Sequence, residues 1–254
     1  MKTGFSEAAA GYVSASQTAR VDTELWAATW KYCPNCGNPN LSKFEANRPG
    51  ADFYCDGCGD EYELKSQSRG FGRKFANGAF SVKMERLKSD TAPNLMLLHY
   101  DRTDRVVVNM SIVPKAFFVP SVVEKRQPLR PTARRAGWVG SNILLERIPP
   151  SARIPIIVDG TVRHRERVFD DWNRVRFVHS KTLETRGWLV DVMRCVDELG
   201  APEFALAEVY AYEGQLSALY PGNANVRPKI RQQLQILRDA GYVTFLGNGR
   251  YRRL

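Results

Sequence analysis

The sequence predicts an α/β domain with a central mixed sheet and an embedded four-cysteine zinc site, followed by a C-terminal winged-helix domain. Three observations predict it. Two Cys-x-x-Cys knuckles, Cys33/Cys36 and Cys55/Cys58, share a short stretch with Asp52, Glu63 and Lys65. A helical pattern then precedes two apolar strands flanking a carboxylate turn, which is an α/β arrangement. From Thr182 onward, three helical patterns lead into a basic hairpin, the winged-helix order, so the domains are expected over residues 1–180 and 181–254.

Taken in order, the first thirty residues fit an amphipathic helix through Val21, Leu25 and Trp26 that packs on the core. They lack the continuous apolar run of a secretory signal, so a cytoplasmic, reducing location is expected. A helix is expected over about residues 77–89, with Phe80, Met84 and Leu87 on one face. Residues 94–100 (NLMLLHY) read as a buried strand, and residues 105–113 as its hairpin partner across the charged turn 101–104. The proline-broken run KRQPLRPTARR at 125–135 is a loop carrying Lys125, Arg126, Arg130, Arg134 and Arg135. Residues 154–158 form a short strand, and the charged segment 164–179 a peripheral helix or linker.

In the C-terminal part, Leu183, Trp188, Leu189, Val192, Met193 and Val196 recur at helical spacing until Gly200-Ala201-Pro202 stops them. Shorter helical patterns follow at about 206–212 and 226–240, the latter with Ile230, Leu234 and Leu237 as its apolar stripe. Residues 242–246 and 250–254 then form a hairpin across Gly247-Asn248-Gly249. No internal repeat is visible.

Zinc prefers four soft ligands in a tetrahedron, and Cys-x-x-Cys lets two thiolates of one tight turn reach one ion. Each knuckle here ends in the expected turn glycine, as CPNCG at 33–37 and CDGCG at 55–59. A redox dithiol would not need duplicating, and four merely buried cysteines would not need the glycines. Such a zinc, ligated by Cys33, Cys36, Cys55 and Cys58, has no open position and is structural. The fifth cysteine, Cys195, falls in an apolar helical pattern and reads as a buried core thiol.

Glu63-Leu64-Lys65 alternates polar and apolar residues, which on a strand puts Glu63 and Lys65 on one face and Leu64 in the core. Phosphodiester hydrolysis uses carboxylates to hold Mg²⁺ and a cation beside the attacking water. Asp52 and Glu63 are the candidate metal ligands, and Lys65 the cation. If the second knuckle caps a hairpin, its two strands bring Asp52 towards Glu63. Asp56, Asp60 and Glu61 are nearby acids that fit solvated turns. The net charge of +10, from 37 basic against 27 acidic residues, favours a polyanionic partner, while no apolar run is long enough for a membrane span.

The runs 33–65 (CPNCGNPNLSKFEANRPGADFYCDGCGDEYELK), 131–143 (PTARRAGWVGSNI) and 230–239 (IRQQLQILRD) resemble the DpnI-like family of methyl-directed (type IIM) restriction endonucleases. The resemblance is colinear over roughly residues 30–254 and weak before them. It implies a PD-(D/E)XK catalytic domain with an embedded zinc site, a winged-helix domain, and Mg²⁺-dependent cleavage of duplex DNA at GATC carrying N6-methyladenine. Residue by residue, Asp52, Glu63 and Lys65 match the catalytic triplet, and the four cysteines match the zinc ligands. Gly50-Ala51-Asp52 stands where the superfamily has Pro-Asp, so Pro49 is displaced. A monomer is expected. The competing readings are a non-catalytic regulator that binds methylated DNA, and a nuclease of this fold with another recognition site.

Adenine's N6-methyl group lies in the major groove. Burying one methyl contributes only about 0.8 kcal/mol, roughly a fourfold preference. Two domains that each read both methyls of a palindrome would multiply this to the order of a hundredfold. In the first domain the candidate reader is Trp138, presented by Arg134 and Arg135 and followed by Gly140. In the winged helix, Arg227, Lys229, Arg231 and Gln232 would enter the major groove, with Arg250, Arg252 and Arg253 on phosphate.

Overall fold

The computed structural model describes residues 3–5, 15–29, 32–45, 48 and 50–254; Pro49 lies outside them. The first elements are α1 (Ala15–Ala28), β1 (Ser42–Lys43), β2 (Phe53–Tyr54), β3 (Glu61–Gln67), β4 (Lys74–Ala79) and α2 (Phe80–Lys88). They are followed by β5 (Asn94–Asp101), β6 (Val106–Val113), β7 (Val123–Lys125), β8 (Gly140–Leu144), β9 (Ile154–Val158), β10 (Thr161–Val162) and α3 (Arg165–Val175). The chain closes with α4 (Leu183–Glu198), β11 (Glu203–Ala205), α5 (Leu206–Tyr210), α6 (Glu213–Leu219), α7 (Val226–Asp239), β12 (Val243–Gly247) and β13 (Arg250–Arg253). These elements fall into two compact units. The first comprises Met1–Gly72, Ser89–Lys115 and Arg153–Asn173, and the second Arg73–Lys88, Ala116–Ala152 and Arg174–Leu254.

The first unit is built on a mixed sheet in the order β1-β2-β3-β5-β6-β9-β10, in which only β3–β5 is parallel. β5 lies between two neighbours with both faces covered, which explains its unbroken apolar run: Leu95, Met96, Leu97 and Leu98 are all buried. The β5–β6 hairpin forms as expected, and the Asp101 carboxylate accepts the N–H groups of Thr103 and Asp104 in its turn. In α1, Trp26 and Ala27 are buried, but Leu25 is 43% exposed. Leu25 therefore falls outside the expected apolar face, because consecutive helical residues are rotated by about 100° and Trp26 occupies the buried side. Thr23 Oγ1 lies 2.9 Å from Ser66 Oγ, which ties α1 to β3.

The second unit holds the small antiparallel sheet β4-β8-β7 and the helices that follow α3. The helix expected from residue 77 begins at Phe80, because Asn77 is instead paired with Ser141 in the β4–β8 ladder. α4 starts where Thr182 Oγ1 accepts the N–H of Thr185, and it stops before Gly200, whose φ is +71°. Its residues Trp188, Leu189, Val190, Val192, Met193, Cys195 and Val196 are buried, so Cys195 is a core thiol. Burial raises that thiol's pKa to about 12. The expected helices and terminal hairpin are present, together with two elements the sequence reading lacked. α6 continues after α5, and β11 makes the hairpin a three-stranded sheet, β11-β13-β12. Tyr242 Oη sits 2.5 Å from Asp197 Oδ1 and 2.7 Å from Ser151 Oγ, fastening this sheet to the stretch around residue 150. Among the described residues, no helix is long and apolar enough to cross a membrane.

Candidate functional site

The two knuckles repeat one backbone design. Cys33 N–H donates to Asn38 O at 2.8 Å and Gly37 N–H to Cys33 O at 2.9 Å. In the second knuckle Cys55 N–H donates to Asp60 O at 2.9 Å and Gly59 N–H to Cys55 O at 2.8 Å. Gly37 and Gly59 have φ of +78° and +73°, a region that side-chain-bearing residues avoid, which is why both turns carry glycine. The four sulfurs all lie within 4.8 Å of one another, a set that could hold a metal ion. A tetrahedral zinc with Zn–S near 2.3 Å would separate its sulfurs by about 3.8 Å. Cys33 Sγ is 3.7 Å from Cys58 Sγ, and Cys36 Sγ is 3.5 Å from Cys55 Sγ, so the residues present fit such an ion.

Polar groups flank the sulfurs on one side, while Cys36 and Cys58 are exposed. Tyr62, fully buried on β3, brings its hydroxyl within 3.1 Å of Cys33 Sγ. Asn35 Nδ2 lies 3.7 Å from Cys58 Sγ and donates to Asp60 Oδ2 at 2.7 Å. Lys115 Nζ pairs with Asp60 Oδ1 at 3.1 Å, and Trp172 Nε1 donates to Asn35 Oδ1 at 3.3 Å. Asp60 is therefore not a solvated turn acid, as its sequence context suggests. It is buried and braces the knuckle. Groups that orient ligands in this way hold a metal site to one geometry.

The second knuckle caps the β2–β3 hairpin. The ladder pairs Tyr54 with Glu61 and Phe53 with Tyr62, and Asp52 N–H then donates to Tyr62 O at 2.8 Å. β2 ends there while β3 runs on, so among the described residues the β3 edge beyond Tyr62 has no strand beside it on that side. α1 flanks this edge, and a cleft of about 470 Å³ opens between them. Arg20, Thr23, Glu24, Asp52, Glu63 and Lys65 are among the residues that line it.

Within the cleft, Asp52 Oδ2 accepts the N–H of Leu64 at 2.7 Å, fixing the carboxylate against β3. Burial raises the Asp52 pKa, opposed by that hydrogen bond, while the charges of Glu24 and Glu63 raise it further and that of Lys65 lowers it. Glu63 and Lys65 share a face, with Lys65 Nζ 2.8 Å from Glu63 Oε1. Leu64, expected in the core, is only half-buried and lines the cleft, because it lies past the end of β2. Two residues of α1 were not singled out from the sequence. Glu24 binds Arg20 at 2.6 Å and Lys43 at 2.9 Å. Burial disfavours the Glu24 carboxylate, yet hydrogen bonds from Arg20 and Lys43 outweigh it and hold the pKa below the usual range. Only the partial helical pattern of residues 15–28 hinted at these two.

The proposed reading residues fall into three groups within the second unit. Trp138 ends an arm between β7 and β8, where Leu129 N–H donates to Trp138 O and Gly137 N–H to Leu129 O. Its indole is half-buried, so it is not a core tryptophan, and it lies so close to Gly140 that a Cβ there would sit 2.8 Å from the ring. The Arg135 guanidinium stands 4.9 Å from the Trp138 ring centroid, and Arg134 is exposed. Arg227, Lys229, Arg231 and Gln232 share the first half of α7. Arg227 is paired with Glu213 at 2.8 Å, and Arg231 donates to Tyr210 Oη at 2.8 Å. Lys229 is half-buried and Gln232 exposed. Arg250 and Arg252 both contact Glu203, and Arg253 lies 3.6 Å from Asp197.

Two family models match the chain. The DpnI model, described as the Dam-replacing family, matches residues 2–181, and the DpnI C-terminal model, described as the Dam-replacing HTH domain, matches residues 184–253.

Proposed function

The chain belongs to the DpnI, or Dam-replacing, family, and from that premise we propose that it is a methyl-directed restriction endonuclease cutting duplex DNA at GATC sites that carry N6-methyladenine. The observation that carries this reading is the convergence of Asp52, Glu63 and Lys65 on one open cleft, arranged by a hairpin whose tip is the thiolate cluster. The proposed fold is a PD-(D/E)XK domain over residues 1–180 with zinc held by Cys33, Cys36, Cys55 and Cys58, and a winged helix over 181–254.

The carboxylates of Asp52 and Glu63 suit Mg²⁺, a hard cation that binds oxygen. When bound, that ion supplies charge neutralisation at the phosphate and an acidified water. Lys65, 2.8 Å from Glu63, orients the attacking water and offsets charge gathering on the phosphate oxygens. The water oxygen bonds to phosphorus as one P–O ester bond breaks; the water's proton passes to solvent, and the departing ester oxygen takes up a proton from solvent. Arg20, in the same lining, balances carboxylates that would otherwise repel the DNA backbone. Trp138 offers the methyl groups an apolar surface, and the first half of α7 reads base edges in the major groove.

The test incubates the chain and Mg²⁺ with one plasmid prepared with and without adenine methylation. Cutting confined to the methylated plasmid at GATC is the expected result. Binding without cutting, unaltered by Lys65→Ala, would replace this reading with a non-catalytic regulator. Cutting of both plasmids would remove methyl direction.

A further inference from the structure

The exposed arginines of the second unit divide into two electrostatic states. On the arm between β7 and β8, the side chains of Arg126, Arg130 and Arg134 are exposed, and none has an ion pair or side-chain hydrogen bond among the described residues. On the terminal sheet the opposite holds. Glu203 of β11 stands directly across the ladder from Arg252 of β13, so backbone register sets their meeting. Arg252 donates to Glu203 Oε1 through Nε at 3.0 Å and Nη2 at 2.7 Å, and Arg250 reaches Oε2 at 3.3 Å. One carboxylate thus occupies two guanidiniums two residues apart on one face of the strand.

Building on the reading of the C-terminal domain as DNA-binding, we propose that Glu203 is a specificity determinant that withholds Arg250 and Arg252 from indiscriminate contact with phosphate. Non-specific binding rests almost wholly on cations that neutralise phosphates and release counterions. A phosphate that approaches this sheet must displace Glu203 or share its arginines with it, and the carboxylate's own charge opposes the approach. A complex made only of backbone contacts bears this penalty in full. A complex anchored by base contacts from α7 and by the arm depends on it less. Exposed ion pairs contribute little to folding, about 0.2–1 kcal/mol, so the pair can be altered without unfolding the domain.

The experiment measures binding of the full chain with Glu203→Gln to methylated and unmethylated GATC duplexes across a salt series, without divalent cations. Affinity for the unmethylated duplex should rise several-fold, its salt slope should steepen by about 0.9–1.8, and the preference for methylated DNA should fall. Glu203→Asp, which keeps the charge, should behave as the unaltered chain. An unchanged unmethylated affinity and slope would overturn the proposal. So would a selective loss of methylated binding, which would make Glu203 a direct reader of a base amino group. If the unaltered chain binds neither duplex, the DNA-binding reading falls as well, a result separable from a normal chain paired with an inert Glu203→Gln.

Discussion

The β2–β3 hairpin ends in two clusters of opposite character. At its tip, four sulfurs close within 4.8 Å of one another, Cys33 and Cys55 buried and Cys36 and Cys58 exposed, with the Tyr62 hydroxyl and the Asn35 amide beside them. At its base, Asp52 and Glu63 face an open cleft with Arg20, Glu24 and Lys65. Four soft ligands that fill a tetrahedron suit a metal that holds structure, and hard ligands in an open cleft suit one that meets a substrate. The comparison teaches that one supersecondary element can hold a cluster of soft ligands at one end and aim hard ones into a cleft at the other. Tyr62 joins the two ends. Its hydroxyl meets Cys33, its carbonyl accepts the N–H of Asp52, and the next residue is Glu63.

The largest expected effect comes from removing a thiolate at the tip. A structural zinc site carries an apparent free energy on the order of 10 kcal/mol, so Cys55→Ser should lose zinc and thermal stability together and abolish cleavage. Metal analysis with calorimetry reads this, and a zinc-free variant that folds and cuts normally would separate the two ends. Next, Lys65→Ala should slow single-turnover cleavage by roughly 10²–10⁴-fold while binding of methylated duplex persists. If binding falls in parallel with rate, Lys65 belongs to recognition instead. An intermediate effect is expected from Tyr62→Phe, which keeps the ring but loses the hydroxyl contact to Cys33. Zinc affinity should fall by about 10–100-fold in a chelator competition, with a measurable loss of cleavage even when zinc is saturating.

The smallest effect is on stability at the open end, and its sign is reversed. The folded-state pKa of Asp52 is raised, so its favourable contribution is complete below the ordinary value of 3.8 and is lost as pH rises through the raised value. At neutral pH without Mg²⁺ the ionised carboxylate therefore costs stability. Asp52→Asn should be more stable there by less than about 1 kcal/mol, since the cleft is partly solvated, and the advantage should vanish in acid. Adding Mg²⁺ should raise the melting temperature of the unaltered chain more than that of the variant. A variant less stable than the parent at neutral pH would contradict this account.

Features set by short spacing were readable in the sequence. The paired Cys-x-x-Cys-Gly turns, the buried run of β5, the stripe of α7 and the glycine-rich final turn all depend on neighbours a few residues away. Features set by packing were not. Arg20 and Glu24 lie about thirty residues before Asp52 and reach the cleft through the packing of α1 beside β3, where Thr23 meets Ser66. β4, with the sequence KFANGA, has little strand character and is held by pairing with β8. The partners of Arg227, Arg250 and Arg252 are distant in sequence, so a basic cluster on paper becomes a set of ion pairs in space.

The threading of the chain has a consequence for its synthesis. The chain passes between the two compact units after Gly72, Lys88, Lys115, Ala152 and Asn173. Domains normally fold as units in the order in which they emerge from the ribosome. Here the unit with the cleft cannot be complete until Asn173 has been made, and the other unit must wait for the last strand. Ser151 and Ser121 contact Asp197, Tyr242 and Asp191, residues released up to about a hundred positions later. Both units therefore stay unfinished until segments far along the chain have been made, and a product that stopped before β13 would lack the sheet that completes the second unit.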